Sequence, residues 1–87
     1  MKPLNFAILK LFTDGREACP EQVIDALKSE YGSFKALNKA DVLNALMTAE
    51  SNGLVEESRF ELDDAGELRV YYRANADGIA TINKYIK

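Results

Sequence analysis

Between residues 28 and 48 the sequence carries lysine, asparagine and threonine side chains of the types that contact nucleic acids. Lysine neutralises phosphates, an asparagine amide can form two hydrogen bonds with adenine, and threonine can contact a thymine methyl group or a phosphate. The candidates for such contacts are Lys28, Lys35, Asn38, Lys39, Asn44 and Thr48. Whether they act together depends on the elements that position them.

Other kinds of chemistry have few residues to support them in this sequence. There is no histidine, and the only cysteine is Cys19. Histidine is the commonest general base and metal ligand, and neither a glycine-rich phosphate loop nor a nucleophile elbow is present. We therefore expect no enzyme activity, no cofactor, no metal site and no internal disulfide. Because Cys19 directly precedes Pro20, we expect it to cap a helix rather than to act as a redox sensor.

Size and composition predict a single domain over residues 1–87. The 87 residues are 47% hydrophobic and 29% charged, as in ordinary globular domains. No apolar run could cross a membrane and the N-terminus does not resemble a signal peptide, so we expect a cytoplasmic protein. The net charge of −3 mildly opposes binding to phosphates, and the placement of the charges matters more than their sum.

The spacing of apolar residues predicts two helices in the first 32 residues. A first helix over 3–13 has one apolar stripe at three- and four-residue spacing. Pro20 opens a second helix, which Gly32 ends. The segment 16–18 between them is too short for a helix and suits a stub of strand.

A third helix is predicted from about Lys39 to Asn52. Asn38 caps it, and Asp41 three residues later makes a pair that resembles a capping box. Its inward stripe consists of Val42, Leu43, Leu46 and Ala49. Helical geometry then turns Asn44 and Thr48 outward.

From residue 54 the apolar period changes to two, which predicts a β-hairpin. A three-residue turn, 64–66, keeps the apolar residues on one face and puts Gly66 in the left-handed position. This register pairs Leu62 with Leu68, Phe60 with Val70, Glu61 with Arg69 and Glu57 with Arg73. Asn75 then caps a last helix over about 76–86, in which Gly78 is a mild weakness.

This order of elements is that of an α+β winged helix-turn-helix domain: a three-helix bundle, a two-stranded wing and a short C-terminal helix. The helix-turn-helix covers about 20–52 and the wing about 54–74. In such domains the second helix of the pair lies in the major groove. Asn44 and Thr48 would then reach base edges, while Asn38 and the three lysines would lie near phosphates.

Three pieces of the sequence resemble bacterial winged-helix regulators of the PadR and MarR groups. Residues 8–15 are similar to the end of their first helix, and 42–56 resemble the exit of their recognition helix. Residues 71–78, YYRANADG, are similar to the wing exit of PadR-type proteins. The resemblance implies a bacterial transcription regulator that binds double-stranded DNA and is compatible with a homodimer. These families usually dimerise through additional C-terminal helices, and because the sequence stops at Lys87 we do not expect that route here.

The wing has an unusual charge for a DNA-binding domain. Between Glu56 and Glu67 there are six acidic residues and one basic residue, Arg59. We expect the tip to stay out of the DNA grooves and cross-strand carboxylates to neutralise part of the arginine charge. The alternative hypothesis is a winged helix with little DNA affinity that binds another protein through exposed Tyr71 or Met47.

Overall fold

Helices and strands follow one another in the order that the sequence predicts. The computed structural model describes residues 1–87. Its elements are α1 (Leu4–Leu11) with a 3₁₀ turn (Phe12–Asp14), β1 (Glu17–Ala18), α2 (Pro20–Tyr31), α3 (Lys39–Ser51), β2 (Glu56–Leu62), β3 (Leu68–Arg73) and α4 (Ala76–Tyr85). The α+β winged helix-turn-helix prediction is therefore confirmed, and β1 makes the sheet three-stranded in the order β1-β3-β2. None of the helices combines the length and the apolar character needed to span a bilayer.

Side-chain caps fix where the later helices begin. The Asn38 side-chain oxygen accepts a hydrogen bond from the backbone N–H of Asp41 at 2.9 Å, and Asn75 accepts one from Gly78 at 2.8 Å. Cys19 is the N-cap of α2 and is buried. These contacts satisfy N–H groups that have no partner inside the helix, which stabilises each start by about 1 kcal/mol.

One apolar core joins all four helices to the sheet. Its fully enclosed side chains are Ile8, Phe12, Val23, Val42, Leu46 and Ile82, with Cys19 beside them. Val42 and Leu46 are both 0% exposed, so α3 is anchored along the inward face that its periodicity predicts. Leu43, also predicted to face inward, is only partly buried.

The predicted register of the hairpin is confirmed at its distal end. Phe60 lies opposite Val70, Glu61 opposite Arg69 and Leu62 opposite Leu68. Gly66 has a φ of 80°, as the left-handed position of this turn requires, and its N–H donates to the Asp63 carbonyl at 2.9 Å. The turn thus places the acidic tip where the sequence predicts it.

The predicted pairing of Glu57 with Arg73 is wrong. A β-bulge between Glu57 and Arg59 sets Glu57 opposite Tyr72 and Glu56 opposite Arg73. Strict alternation assumes that every residue pairs, whereas here the extra residue, Ser58, donates its hydroxyl to Glu17 of β1 at 2.7 Å. The bulge shifts the register only at the base of the wing.

The expected exposure of Tyr71 is also wrong, because the residue is buried, with only 5% of its surface exposed. The Tyr71 hydroxyl donates to Glu61 at 2.6 Å, and the Arg59 guanidinium lies 3.9 Å from the ring centroid. Glu61 accepts this hydrogen bond and one from Arg59, which together lower the pKa of its carboxyl. The same hydrogen bond raises the pKa of the tyrosine, with burial adding to the effect. Buried Tyr71 is therefore not available to bind another protein, and of the two residues named for that hypothesis only Met47 is exposed.

Gly78 has a structural role that its low helix propensity hides. A Cβ atom at this position would lie 2.2 Å from the carbonyl oxygen of Leu54. The backbone of α4 therefore packs directly on the segment that leads into the wing, and only glycine permits that approach. From the sequence alone, Gly78 is expected to lower the stability of α4. In the fold, however, α4 can pack on Leu54 only because residue 78 is glycine.

Candidate nucleic-acid interface

The exposed side of α3 presents a polar ridge made of Asn44 and Thr48. The two side chains lie one helical turn apart and both are exposed, whereas Val42, Leu46 and Ala49 on the opposite side are buried. This is the orientation that the 3.6-residue period predicts. Because the opposite side of α3 is packed in the core, Asn44 and Thr48 can contact a partner without disturbing that packing.

A shallow groove of about 340 Å³ runs beside this ridge, between α1 and α3. Asn5 and Leu9 of α1 line one side of it, and Asp41, Asn44 and Thr48 of α3 line the other. Its apolar lining residues are Leu9, Ala45, Ala49 and Leu54. The Asp41 carboxylate, in the first turn of α3, would repel a phosphate at that end of the groove. A phosphate would therefore bind more favourably beside Asn44 and Thr48.

Asn38 has a local structural role. Its side-chain oxygen caps α3, while its amide nitrogen donates to the Lys35 carbonyl at 2.7 Å and to the Asp41 carboxylate at 2.8 Å. Both polar atoms of the side chain are therefore engaged within the chain. A phosphate at this helix end would be met by free backbone N–H groups rather than by the Asn38 amide.

The three candidate lysines differ in how free their charges are. Lys28 pairs with Asp25 on the same helix at 3.2 Å. Lys39 lies between two carboxylates, 3.5 Å from Glu21 and 3.4 Å from Glu67. Attraction to Glu21 and a hydrogen bond to Glu67 raise the pKa of Lys39. Lys35 is exposed and forms no ion pair, which leaves it as the free cation beside the start of α3.

Carboxylates of the wing and of α2 surround Lys39 and Arg69, and we term this group the tip cluster. Its members are Glu21, Lys39, Asp63, Glu67 and Arg69. The Arg69 Nε atom lies 3.5 Å from Glu21 and 3.9 Å from Asp63. The tip cluster ties the end of the wing to the starts of α2 and α3. It also places Glu67 where a phosphate would otherwise reach Lys39.

Arg59, on β2 of the wing, is also paired. Its Nε donates to Glu17 at 2.8 Å and its Nη1 to Glu61 at 3.0 Å. Arg59 and Arg69 are paired with carboxylates, but these are Glu17, Glu21, Asp63 and, on the same strand as Arg59, Glu61. Neither predicted cross-strand pair, Glu61 with Arg69 or Glu57 with Arg73, forms an ion pair. These pairs span β1, α2 and the wing, and no local pattern in the sequence marks them.

No family model matches this sequence, and no curated protein matches it either. Among solved structures, the fold matches PadR from Bacillus subtilis in complex with operator DNA, with a TM-score of 0.74 and 20% sequence identity. The match covers 98% of this chain and 47% of that one, so the chain spans about half the length of that protein. The likeness to PadR-type proteins expected from the sequence is thus present at the level of the fold.

Proposed function

We propose that this chain binds double-stranded DNA as a transcription regulator, with α3 in the major groove. The observation that carries the proposal is the polar ridge of Asn44 and Thr48, exposed on a helix whose other face is fully anchored. A helix fits the major groove of B-form DNA, where base edges offer distinct patterns of donors and acceptors. The shared fold with a PadR protein that binds operator DNA supports the same docking geometry.

The candidate residues divide into two roles under this proposal. Asn44 forms paired hydrogen bonds with an adenine, and Thr48 contacts a thymine methyl group or a phosphate. Lys35 neutralises a phosphate beside the start of α3, while Lys28 and Lys39 must exchange their carboxylate partners to do so. The part of the DNA affinity that comes from phosphate contacts therefore depends chiefly on Lys35, and the preference for particular bases depends on Asn44 and Thr48.

Reversing the charge of Lys35 should weaken binding to DNA of any sequence. Lys35→Glu replaces a phosphate contact by repulsion, so we expect about tenfold lower affinity for a mixed-sequence duplex. We also expect the dependence of log affinity on log salt to become shallower by about one unit. Fluorescence anisotropy with a labelled duplex of about 24 base pairs, titrated at several salt concentrations, measures both quantities.

Lys84→Glu on α4 is the matched control, because it changes the net charge equally away from α3. The control should retain most of the affinity. Equal losses in the two variants would mean that only net charge matters. Absence of binding by the native chain at about 50 mM salt would refute the DNA proposal itself.

Releasing Lys39 from the wing should strengthen DNA binding. Glu67→Gln removes one of the two carboxylates beside the Lys39 ammonium, the one at 3.4 Å, so that only Glu21 still competes with a phosphate for this lysine. Exposed ion pairs of this kind are worth about 0.2–1 kcal/mol, and we therefore expect about a 1.4- to fivefold gain in affinity. Asp64→Asn makes the same change of charge on the same turn at a residue that forms no ion pair. A gain of equal size in both variants would argue against a specific role for Glu67.

A further inference from the structure

The hairpin exposes three large apolar side chains together on one face. Phe60, Leu62 and Leu68 are 66%, 69% and 53% exposed, and Leu62 lies directly opposite Leu68. Val70, opposite Phe60 on the same face, is partly buried against the core. Scattered apolar residues are normal at a protein surface, but contiguous ones indicate an interaction site. We term Phe60, Leu62 and Leu68 the wing patch.

The wing patch lies at a free edge of the sheet. Because the strand order is β1-β3-β2, the outer side of β2 has no neighbouring strand. From Arg59 to Leu62 this strand pairs regularly with β3, without a bulge, and contains no proline. Its outward N–H and C=O groups can therefore form a ladder with one more extended segment.

The charges around the wing patch select the occupant of that edge. Residues 56–67 carry six carboxylates, of which Glu56, Glu57 and Asp64 form no ion pair, and their one arginine is already paired with Glu17 and Glu61. DNA phosphates and a second acidic wing would both be repelled there. A cationic segment would instead be attracted.

We infer that the outer edge of β2 and the wing patch bind an extended segment of a partner protein in which apolar residues alternate with lysine or arginine. Alternate side chains of an added strand point to opposite faces of the sheet. One set then packs beside Phe60 and Leu62, and the other set lies beside Glu61 and the acidic tip. This surface is separate from the ridge on α3, so the inference goes beyond DNA binding and does not depend on it.

Selection from a random library of 12-residue peptides displayed on phage tests the inference, with the full chain as bait. The enriched peptides should alternate apolar and basic residues. A synthetic copy of the best peptide should bind Leu62→Ser about tenfold or more weakly than the native chain. Tyr85→Ser is the matched control, because Tyr85 is 72% exposed on α4, and its affinity should equal that of the native chain.

Three outcomes would overturn the inference. The first is that no peptide is enriched over a bait-free control, and the second is that the enriched peptides lack the alternation or bind Leu62→Ser equally well. The third is a native dimer in sedimentation that Leu62→Ser converts to a monomer, which would show that a second copy occupies the patch. Binding of duplex DNA by the same Leu62→Ser protein tells failure of this inference apart from failure of the DNA proposal.

Discussion

Replacing Asn44 and Thr48 together by alanine is expected to abolish most of the preference of the chain for its own DNA sequence. A good bidentate contact discriminates between bases by about 1–3 kcal/mol, which corresponds to about a 5- to 150-fold change in affinity. The phosphate contacts of Lys35 remain in this variant. Affinity for an unrelated duplex should therefore change little while affinity for the preferred duplex falls.

Selection from a randomised duplex library with the native chain supplies the preferred sequence for this measurement. Affinities for the selected duplex and for a scrambled duplex are then compared between the native chain and the double variant. Thr81→Ala removes an exposed helical threonine from α4 and should leave both affinities unchanged. Retention of the full preference by the double variant would show that α3 does not read the bases through this ridge.

Gly78→Ala is expected to destabilise the fold, although the same change in an exposed helix is normally stabilising by up to about 1 kcal/mol. The new methyl group would meet the Leu54 carbonyl oxygen at 2.2 Å, and backbone cannot move aside as a flexible side chain can. Overpacking of this kind costs about 1–3 kcal/mol. For a domain of this size the corresponding fall in Tm is about 5–20 °C.

Thermal and urea unfolding followed by circular dichroism measure the effect. Ala80→Gly, at an exposed position of the same helix, isolates helix propensity and should cost only about 1 kcal/mol. A Gly78→Ala protein as stable as the native chain would mean that α4 does not approach the Leu54 backbone this closely.

Features governed by residues near each other in the chain could be predicted from the sequence. The start of α3 at Lys39 follows from Asn38 three residues before Asp41, and the turn at Gly66 follows from the apolar pairing around it. The outward direction of Asn44 and Thr48 follows from helical periodicity alone. Each of these depends on backbone geometry within a single element or a single turn.

Features that depend on contacts between distant segments could not be predicted in the same way. Lys39 meets Glu21 and Glu67, which are 18 and 28 positions away in the chain, only because the wing folds back on α2 and α3. Packing of α4 on Leu54 likewise gives Gly78 a role that its helix propensity does not indicate. The sequence therefore predicts correctly that the Asn44 and Thr48 side chains point outward, but it does not show that Lys28 and Lys39 are paired with carboxylates.

The two faces of the wing illustrate the same limit. The alternating pattern correctly assigns the apolar residues of the hairpin to one face of the sheet. It does not show how much of that face the helices cover. Tyr72 of the apolar set is buried in the core, whereas Leu62 and Leu68 near the tip are exposed. On the other face the side chains of Arg59 and Glu61 cover Tyr71.

Mapping backbone amide shifts of the ¹⁵N-labelled chain during titration with the selected duplex tests the central claim most directly. We predict the largest changes at Lys35, Asn44 and Thr48, and none at residues 64–66 of the acidic turn. Changes concentrated on the wing, with Asn44 and Thr48 unmoved, would contradict the assignment of α3 as the DNA-reading element.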